Sequence, residues 1–234
     1  MADSFKERGM LFTAPMVRAI LDSSKTQTRR VVKPIPQMVT ESNIATWDGD
    51  AAALMRLFDQ VGRGCPYGHS GDRLWVRETW QGYRQTNYEY DEWEEMESPK
   101  DRHDNTYVPV YRADDKSYPE KWLPAIHMPR EFSRINLEIT GVRVERLQDI
   151  SEADAAAEGI APNWIGSDLT GWDPNQHGYL PHDCDAEGDV PGVDIYDDCW
   201  TAKRCFQRLW ESINGAGSWA ANPWVWVIEF RRIK

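Results

Sequence analysis

Six consecutive residues, Lys25-Thr26-Gln27-Thr28-Arg29-Arg30, form the densest polar cluster in the chain. A hydroxyl within reach of an amine is one arrangement for nucleophilic catalysis, because a lysine whose charge is suppressed by burial can act as a base toward it. If the helical turn that precedes the cluster runs on through it, Lys25 and Thr28 stand at i and i+3 and project to the same side. The competing reading is that basic residues after a helix C-terminus serve the macrodipole and solvation. Glu158 is the second unusual residue. It falls in the last turn of a predicted helix, where the dipole disfavours an acid, although Ala155-Ala156-Ala157 just before it are small, good helix formers. A residue placed against local preference points to function; the alternative is a solvated glutamate at small cost.

The elements that must position these groups follow from pattern. Thr13 is the expected N-cap of a short helix reaching Ser24, with Pro15 in its first turn and Val17, Ile20 and Leu21 on one face. Arg73 to Trp80, entered through Gly71-Asp72, is predicted as a strand. Ile135, Leu137 and Ile139 alternate with polar residues, and the alternation resumes at Val142 and Val144, which predicts a long half-buried strand bulged near Gly141. The helix that carries Glu158 has Ser151 as N-cap, Asp154 as capping-box partner and Gly159 as its stop. Another helix runs from about Thr201 to Ile213, and Trp224 to Phe230 is too apolar on both parities for an edge strand. Strands outnumber helices without alternating regularly with them, so the fold expected is α+β, a mixed, mostly antiparallel β-barrel with peripheral helices.

Charge bounds the ligand. The 234 residues carry 38 acids and 27 Lys and Arg, a net −11, which speaks against a simple polyanion binder. The acidity is concentrated: residues 86–105 carry −6 and residues 166–198 carry −9, leaving +4 for the rest of the chain. Both stretches are rich in loop-forming residues and are expected as solvated excursions from a mildly basic frame. Twelve tryptophans mean a heavily aromatic core or surfaces that stack on planar ligands. No apolar run is long enough to span a membrane, and the N-terminus is too charged for a signal peptide, so the protein is expected to be cytoplasmic with no membrane partner. Cys65, Cys184, Cys199 and Cys205 match neither a disulfide framework nor paired zinc knuckles; His182 with the last three could be drawn as a zinc site, but reduced or buried thiols are the expectation.

The helix followed by Lys25-Thr26-Gln27-Thr28-Arg29-Arg30, the turn and strand Gly71-Asp72-Arg73-Leu74-Trp75-Val76, the block from Leu147-Gln148-Asp149-Ile150-Ser151-Glu152 through Glu158, and the terminal Val227-Ile228-Glu229-Phe230 together resemble an ASCH domain, of the PUA-like superfamily. The matching blocks lie at about residues 9–33, 71–80, 122–160 and 206–232, and the whole chain is similar to ASCH-containing proteins of phages and prophages. The resemblance implies a single PUA-like domain over 1–234, with insertions at about 81–121 and 161–199 and a cleft that receives RNA or a nucleoside. Small bacterial members of the family are amidohydrolases that remove the acetyl group from N4-acetylcytidine with a Lys, a Thr and a Glu, and need no metal or cofactor. Those three fall here on Lys25, Thr28 and Glu158. This chain is more than twice the size of those enzymes, and its insertions could cap, enlarge or block the cleft.

Two wirings of the three residues are open. A neutral Lys25 could take the proton of Thr28, which would attack the amide and form an acyl-enzyme. A Lys25 paired with Glu158 would stay charged, leaving Glu158 to activate water or the hydroxyl, and Lys25 to hold the oxyanion or protonate the leaving amine. Arg30, Trp75, Arg77 and Glu78 are the expected substrate contacts: Trp75 by stacking on a planar base, unless it is a core residue, and the others by hydrogen bonds to sugar or base edge. The main alternative is a PUA-like module that binds RNA or modified DNA without chemistry; a phage assembly or host-takeover factor is a third.

Overall fold

The computed structural model describes residues 5–33, 50–60, 62, 64–85, 93–100, 107–114, 119–160, 170–172, 179–181 and 201–233. The strands are β1 (Glu7–Leu11), β2 (Gln27–Val31), β3 (Arg73–Arg77), β4 (Trp80–Gln85), β5 (Trp93–Glu95), β6 (Tyr107–Tyr111), β7 (Asn136–Arg146), β8 (Thr170–Trp172), β9 (Tyr179–Pro181) and β10 (Trp224–Ile233). The helices are α1 (Ala14–Leu21), α2 (Ala51–Gln60), α3 (Glu152–Ala157) and α4 (Ala202–Asn214). No described helix is long and apolar enough to cross a membrane.

The main sheet has the order β1-β3-β7-β10-β2. The expected α+β class with mostly antiparallel pairing holds: only β1 and β3 run parallel in this sheet. The expected barrel is not closed among the described residues. β1 and β2 end the sheet without pairing with each other, and the Arg30 guanidinium, donating to the Leu11 carbonyl at 2.8 Å, is a side-chain link between them.

The period-2 alternation of β10 explains its central place. Trp226, Ile228 and Phe230 point to one face, into a core with Leu74, Val76, Leu137, Ile139 and residues of α1 and α2 such as Val17, Ile20, Leu54 and Phe58. Val225 and Val227 point to the other face, into a second core with Leu147, Ile150, Ala155, Phe206, Leu209 and Trp210. A strand buried on both sides reads as a continuous apolar run, as this one does. Each fully buried aliphatic side chain of this kind contributes about 1.5–3 kcal/mol, and Val225, Val227 and Ile228 are all 0% exposed. The bulge expected near Gly141 is present: Glu229 pairs with Gly141 but Phe230 with Ile139, so Thr140 is the extra residue.

The cap expected at α3 is present and the one expected at α1 is not. The Ser151 hydroxyl accepts from the Asp154 amide at 3.1 Å and donates to its carboxylate at 2.8 Å. The Thr201 hydroxyl accepts from the Arg204 amide at 3.2 Å. Thr13 has extended backbone but its hydroxyl makes no cap hydrogen bond and is buried without a partner. The predicted helix is also shorter than expected. It ends at Leu21 because Ser23 takes a left-handed φ of 68° and turns the chain into β2.

The first acidic stretch is not only loop. β5 lies within it and pairs with β4, which pairs with β6 in a three-stranded sheet. This sheet has its own small core of Trp80, Met96, Tyr111, Leu123 and Met128. The misreading came from charge masking a short strand whose apolar partners lie elsewhere in the chain. In the second acidic stretch β8 and β9 form a hairpin-like pair; His182, Cys184 and Cys199 lie outside the described residues.

Candidate active site at the free edge of β2

Lys25 does not continue α1. It forms an isolated antiparallel bridge with Glu158, 133 positions away, just before the start of β2. The Thr26 amide donates to the Ala157 carbonyl at 2.9 Å, so the end of α3 is stitched to the strand that carries the polar cluster. Gly159 makes this possible. Its φ is +89°, and a Cβ there would stand 2.8 Å from the Ala19 Cβ and 3.0 Å from the Lys25 Cβ, so only glycine supplies both the left-handed turn and the close approach.

At this seam Lys25 Nζ donates to Glu158 Oε2 and to the Glu158 carbonyl, both at 2.7 Å. The side chains are 0% and 4% exposed. Arg29 completes the clamp, donating from Nη1 to Glu158 Oε1 at 3.0 Å. Both oxygens of one buried carboxylate therefore face a cation. Burial is the largest influence on Lys25 and draws its pKa below the ordinary lysine value, against the attraction of Glu158 and in the same direction as the nearby Arg30 and Arg29 charges. Arg29 also holds Glu145 at 2.5 Å and lies 5.8 Å from the Phe206 ring centroid. Gln27 donates to the Asp154 carbonyl and carboxylate at 2.6 and 2.9 Å.

The reason for this arrangement is the period of a strand rather than of a helix. In β2, Gln27 and Arg29 share a face with Glu229 and Val227, whereas Thr28 and Arg30 share the opposite face with Ile228 and Trp226. The i,i+3 relation expected of Lys25 and Thr28 is thus absent, and no hydrogen bond joins Lys25 Nζ to the Thr28 hydroxyl, since both bonds of Nζ go to Glu158. What Thr28 shares with Glu158, though not with Lys25, is a void. A cavity of about 70 Å³ at the free edge of β2 is lined by Thr28, Arg29, Arg30, Glu158, Phe206 and Trp210, among others. At about 30 Å³ per water it has room for about two waters or a small acyl group, not for a pyrimidine. Arg30, drawn below the usual arginine value chiefly by burial, stands 5.6 Å from the Phe12 ring centroid as well as lining the void.

No family model, no curated protein and no solved structure matches the chain.

The other expected substrate contacts do not converge on the void. Trp75 is half-buried on the outer face of β3, flanked by the guanidiniums of Arg77 at 5.1 Å and Arg130 at 5.8 Å from its ring centroid. Arg77 donates to the Ile126 carbonyl. Glu78 is 1% exposed and is gripped by Arg134, whose Nε and Nη2 donate to its two oxygens at 3.0 Å each. Burial is the chief influence on Glu78 and raises its pKa against Arg134. Arg134 also pairs with Asp114 at 2.7 Å, and it lines a separate, larger cleft of about 520 Å³ together with Lys25, Thr26 and Arg232.

Arg29 is the site residue that sequence reasoning passed over in favour of Arg30. Strand parity would have singled it out: Lys25, Gln27 and Arg29 recur at every second position, and all three reach toward the end of α3. Among the described residues no group of three His, Cys, Asp or Glu side chains is arranged to hold a metal ion.

Proposed function

We propose that this chain is an ASCH-type, PUA-like amidohydrolase that removes the acyl group from N4-acylated cytosine nucleosides such as N4-acetylcytidine. The observation that carries the reading is the buried Lys25–Glu158 pair at 2.7 Å, with Thr28 lining the same small void as Glu158. A buried ion pair is weak support for stability, and one whose carboxylate lines a void together with a threonine has the composition of a hydrolytic centre.

Ion pairing supports the second of the two wirings. Lys25 is an ammonium while Glu158 is a carboxylate, so the base is Glu158. It takes a proton from a water in the void, and the hydroxide adds to the amide carbonyl carbon. Lys25 holds the Glu158 carboxylate from outside the void, and Arg29 and Arg30, the cations that line it, stabilise the oxyanion, as preorganised donors do in acyl transfer. The C–N bond then breaks, the proton passes to the exocyclic nitrogen, and a carboxylic acid and the free cytosine nucleoside leave. Arg29 holds Glu158 in place, and the Thr28 hydroxyl orients the water or the carbonyl. The acyl group occupies the void and the base stays at its mouth. Nothing in this scheme calls for a metal or cofactor.

A non-catalytic PUA-like module that binds RNA or modified nucleic acid is the second reading. It is favoured by Lys25 being fully enclosed, with two bonds to Glu158, as a purely structural strut would be. Incubation with a panel of N4-acylcytidines, followed by measurement of released cytidine, separates the two. The first reading expects turnover that falls steeply from acetyl to longer acyl chains; no turnover of any member supports the second.

A further inference from the structure

The small void at the edge of β2 has two unlike walls. On the strand side Thr28, Arg29 and Arg30 line it, with Glu158 beside them. The opposite wall is α4, which contributes Phe206, Leu209, Trp210 and Ile213, positions that recur at i, i+3, i+4 and i+7 and so share one helical face. Exposure gives the void its depth. Phe206, Leu209 and Trp210 are buried in the second core, whereas Val31 and Ile213, which also line the void, are 39% and 46% exposed. Val31 and Ile213 therefore mark the rim, and the other three the inner end.

Water suits only half of such a lining, because an apolar surface stays dry while a polar one keeps its water. A ligand that suits both walls carries an oxygen on one side and hydrocarbon on the other. An acyl group has that make-up, and a void of about 70 Å³ closes on a short chain. The walls also differ in what holds them. Arg29 is fixed by ion pairs to Glu145 at 2.5 Å and to Glu158 at 3.0 Å. Phe206 is fixed among rings, its centroid 6.1 Å from that of Trp210 and 6.3 Å from that of Trp219. Leu209 meets the void with an isobutyl group held by apolar packing, so shortening it changes the size of the site and leaves its charge alone.

We propose that α4 is the acyl-binding wall of this site and that Leu209 sets the chain length it accepts, admitting acetyl and excluding butyryl. The acyl oxygen faces Arg29 and Arg30, and the alkyl chain lies along α4. The reaction rests on the hydrolytic reading, but the wall can be probed without turnover. Two measurements on the intact chain test it. One is kcat/KM for N4-acetyl-, N4-propionyl- and N4-butyrylcytidine. The other is the thermal stabilisation given by acetate, propionate and butyrate, the carboxylates such a reaction releases. Leu209→Ala should lower the acetyl-to-butyryl ratio of kcat/KM by at least about ten-fold, the lower end of what one methylene is worth in an apolar pocket. Leu209→Val, a milder truncation in case the alanine variant fails to fold, should shift the ratio the same way by a smaller factor. Leu137→Ala opens a hole in the first core, on the other side of the sheet, and should keep the parental ratio. Butyrate should stabilise Leu209→Ala more than acetate does, and the parent less. If the parent hydrolyses N4-acetylcytidine and both Leu209 variants keep its ratio, the proposal fails while the hydrolytic reading stands. If no acylcytidine is turned over but butyrate selectively stabilises Leu209→Ala, the hydrolytic reading fails and the acyl wall stands. The proposal is also overturned if Leu137→Ala shifts the ratio as much as Leu209→Ala, or if, without turnover, the carboxylates do not separate Leu209→Ala from the parent.

Discussion

Replacing Glu158 by glutamine keeps the shape of the seam and removes its negative charge. Arg29 loses one partner but keeps Glu145 at 2.5 Å. Lys25 loses the one carboxylate it pairs with among the described residues and is left with the backbone carbonyl of position 158 at 2.7 Å, its side chain 0% exposed. Removing one member of a buried pair costs about 3–5 kcal/mol, because the remaining charge is uncompensated. For a chain of this size that is a fall in Tm of about 6–20 °C. The pH dependence has a definite sign. Burial already holds the folded Lys25 pKa below the ordinary lysine value of 10.5, so its contribution is fully present above 10.5 and is lost as pH falls through the folded value. In Glu158→Gln the attraction that opposed burial is gone, the folded pKa drops further, and stability recovers with rising pH from a lower starting point than in the parent. Lys25→Met added to Glu158→Gln removes the stranded charge and should restore much of the loss. Thermal and denaturant unfolding of the two single variants and the double at pH 6 to 9 measure this. A loss under about 1 kcal/mol in Glu158→Gln, or no recovery in the double variant, would refute the reasoning.

Three further outcomes follow from the packing. Gly159→Ala, which meets both a φ of +89° and the Ala19 and Lys25 side chains, should destabilise by about 1–3 kcal/mol, measured by denaturant unfolding, and should shift Lys25 off Glu158. Arg134→Leu leaves Glu78, 1% exposed, without its bidentate partner; the cost should be about 3–5 kcal/mol at pH 7. It should shrink at lower pH, because a carboxyl whose folded pKa is raised contributes stability that is fully present below 4.5 and lost as pH rises through the folded value. Leu137→Ala, at 0% exposure between the central strands and the helices, should cost about 2–5 kcal/mol without altering chemistry at the β2 edge.

Much of the frame was legible because it obeys local rules. The two-sided apolarity of Trp224 to Phe230 placed β10 in the interior of the sheet, Ser151 and Asp154 fixed the start of α3, and Gly141 marked the bulge. The site was legible in its members but not in its geometry. Lys25 stood out in the densest polar cluster and Glu158 as an acid in an unfavourable place, and they meet. Their partner Arg29 was missed because the segment after α1 was given a helical period, when the left-handed Ser23 had already ended the helix. β1 escaped notice because Glu7-Arg8-Gly9-Met10-Leu11 has charged residues on both parities, and its pairing with β3 is a contact 66 positions distant. β5 was hidden by the acids around it for the same reason: pairing with β4, not local apolar pattern, makes it a strand.

The proposed hydrolysis of an acylated cytosine amide depends on the buried Lys25–Glu158 pair beside the edge of β2. Its most direct test is cytidine release from N4-acetylcytidine by the parent chain and by Lys25→Ala, Thr28→Ala and Glu158→Ala, each checked by circular dichroism for a folded state. Expected are turnover by the parent and a loss of at least about 100-fold, of the order that general acid–base groups contribute, in Lys25→Ala and Glu158→Ala. Parental turnover in a folded Glu158→Ala variant, or no cytidine from the parent, would contradict it.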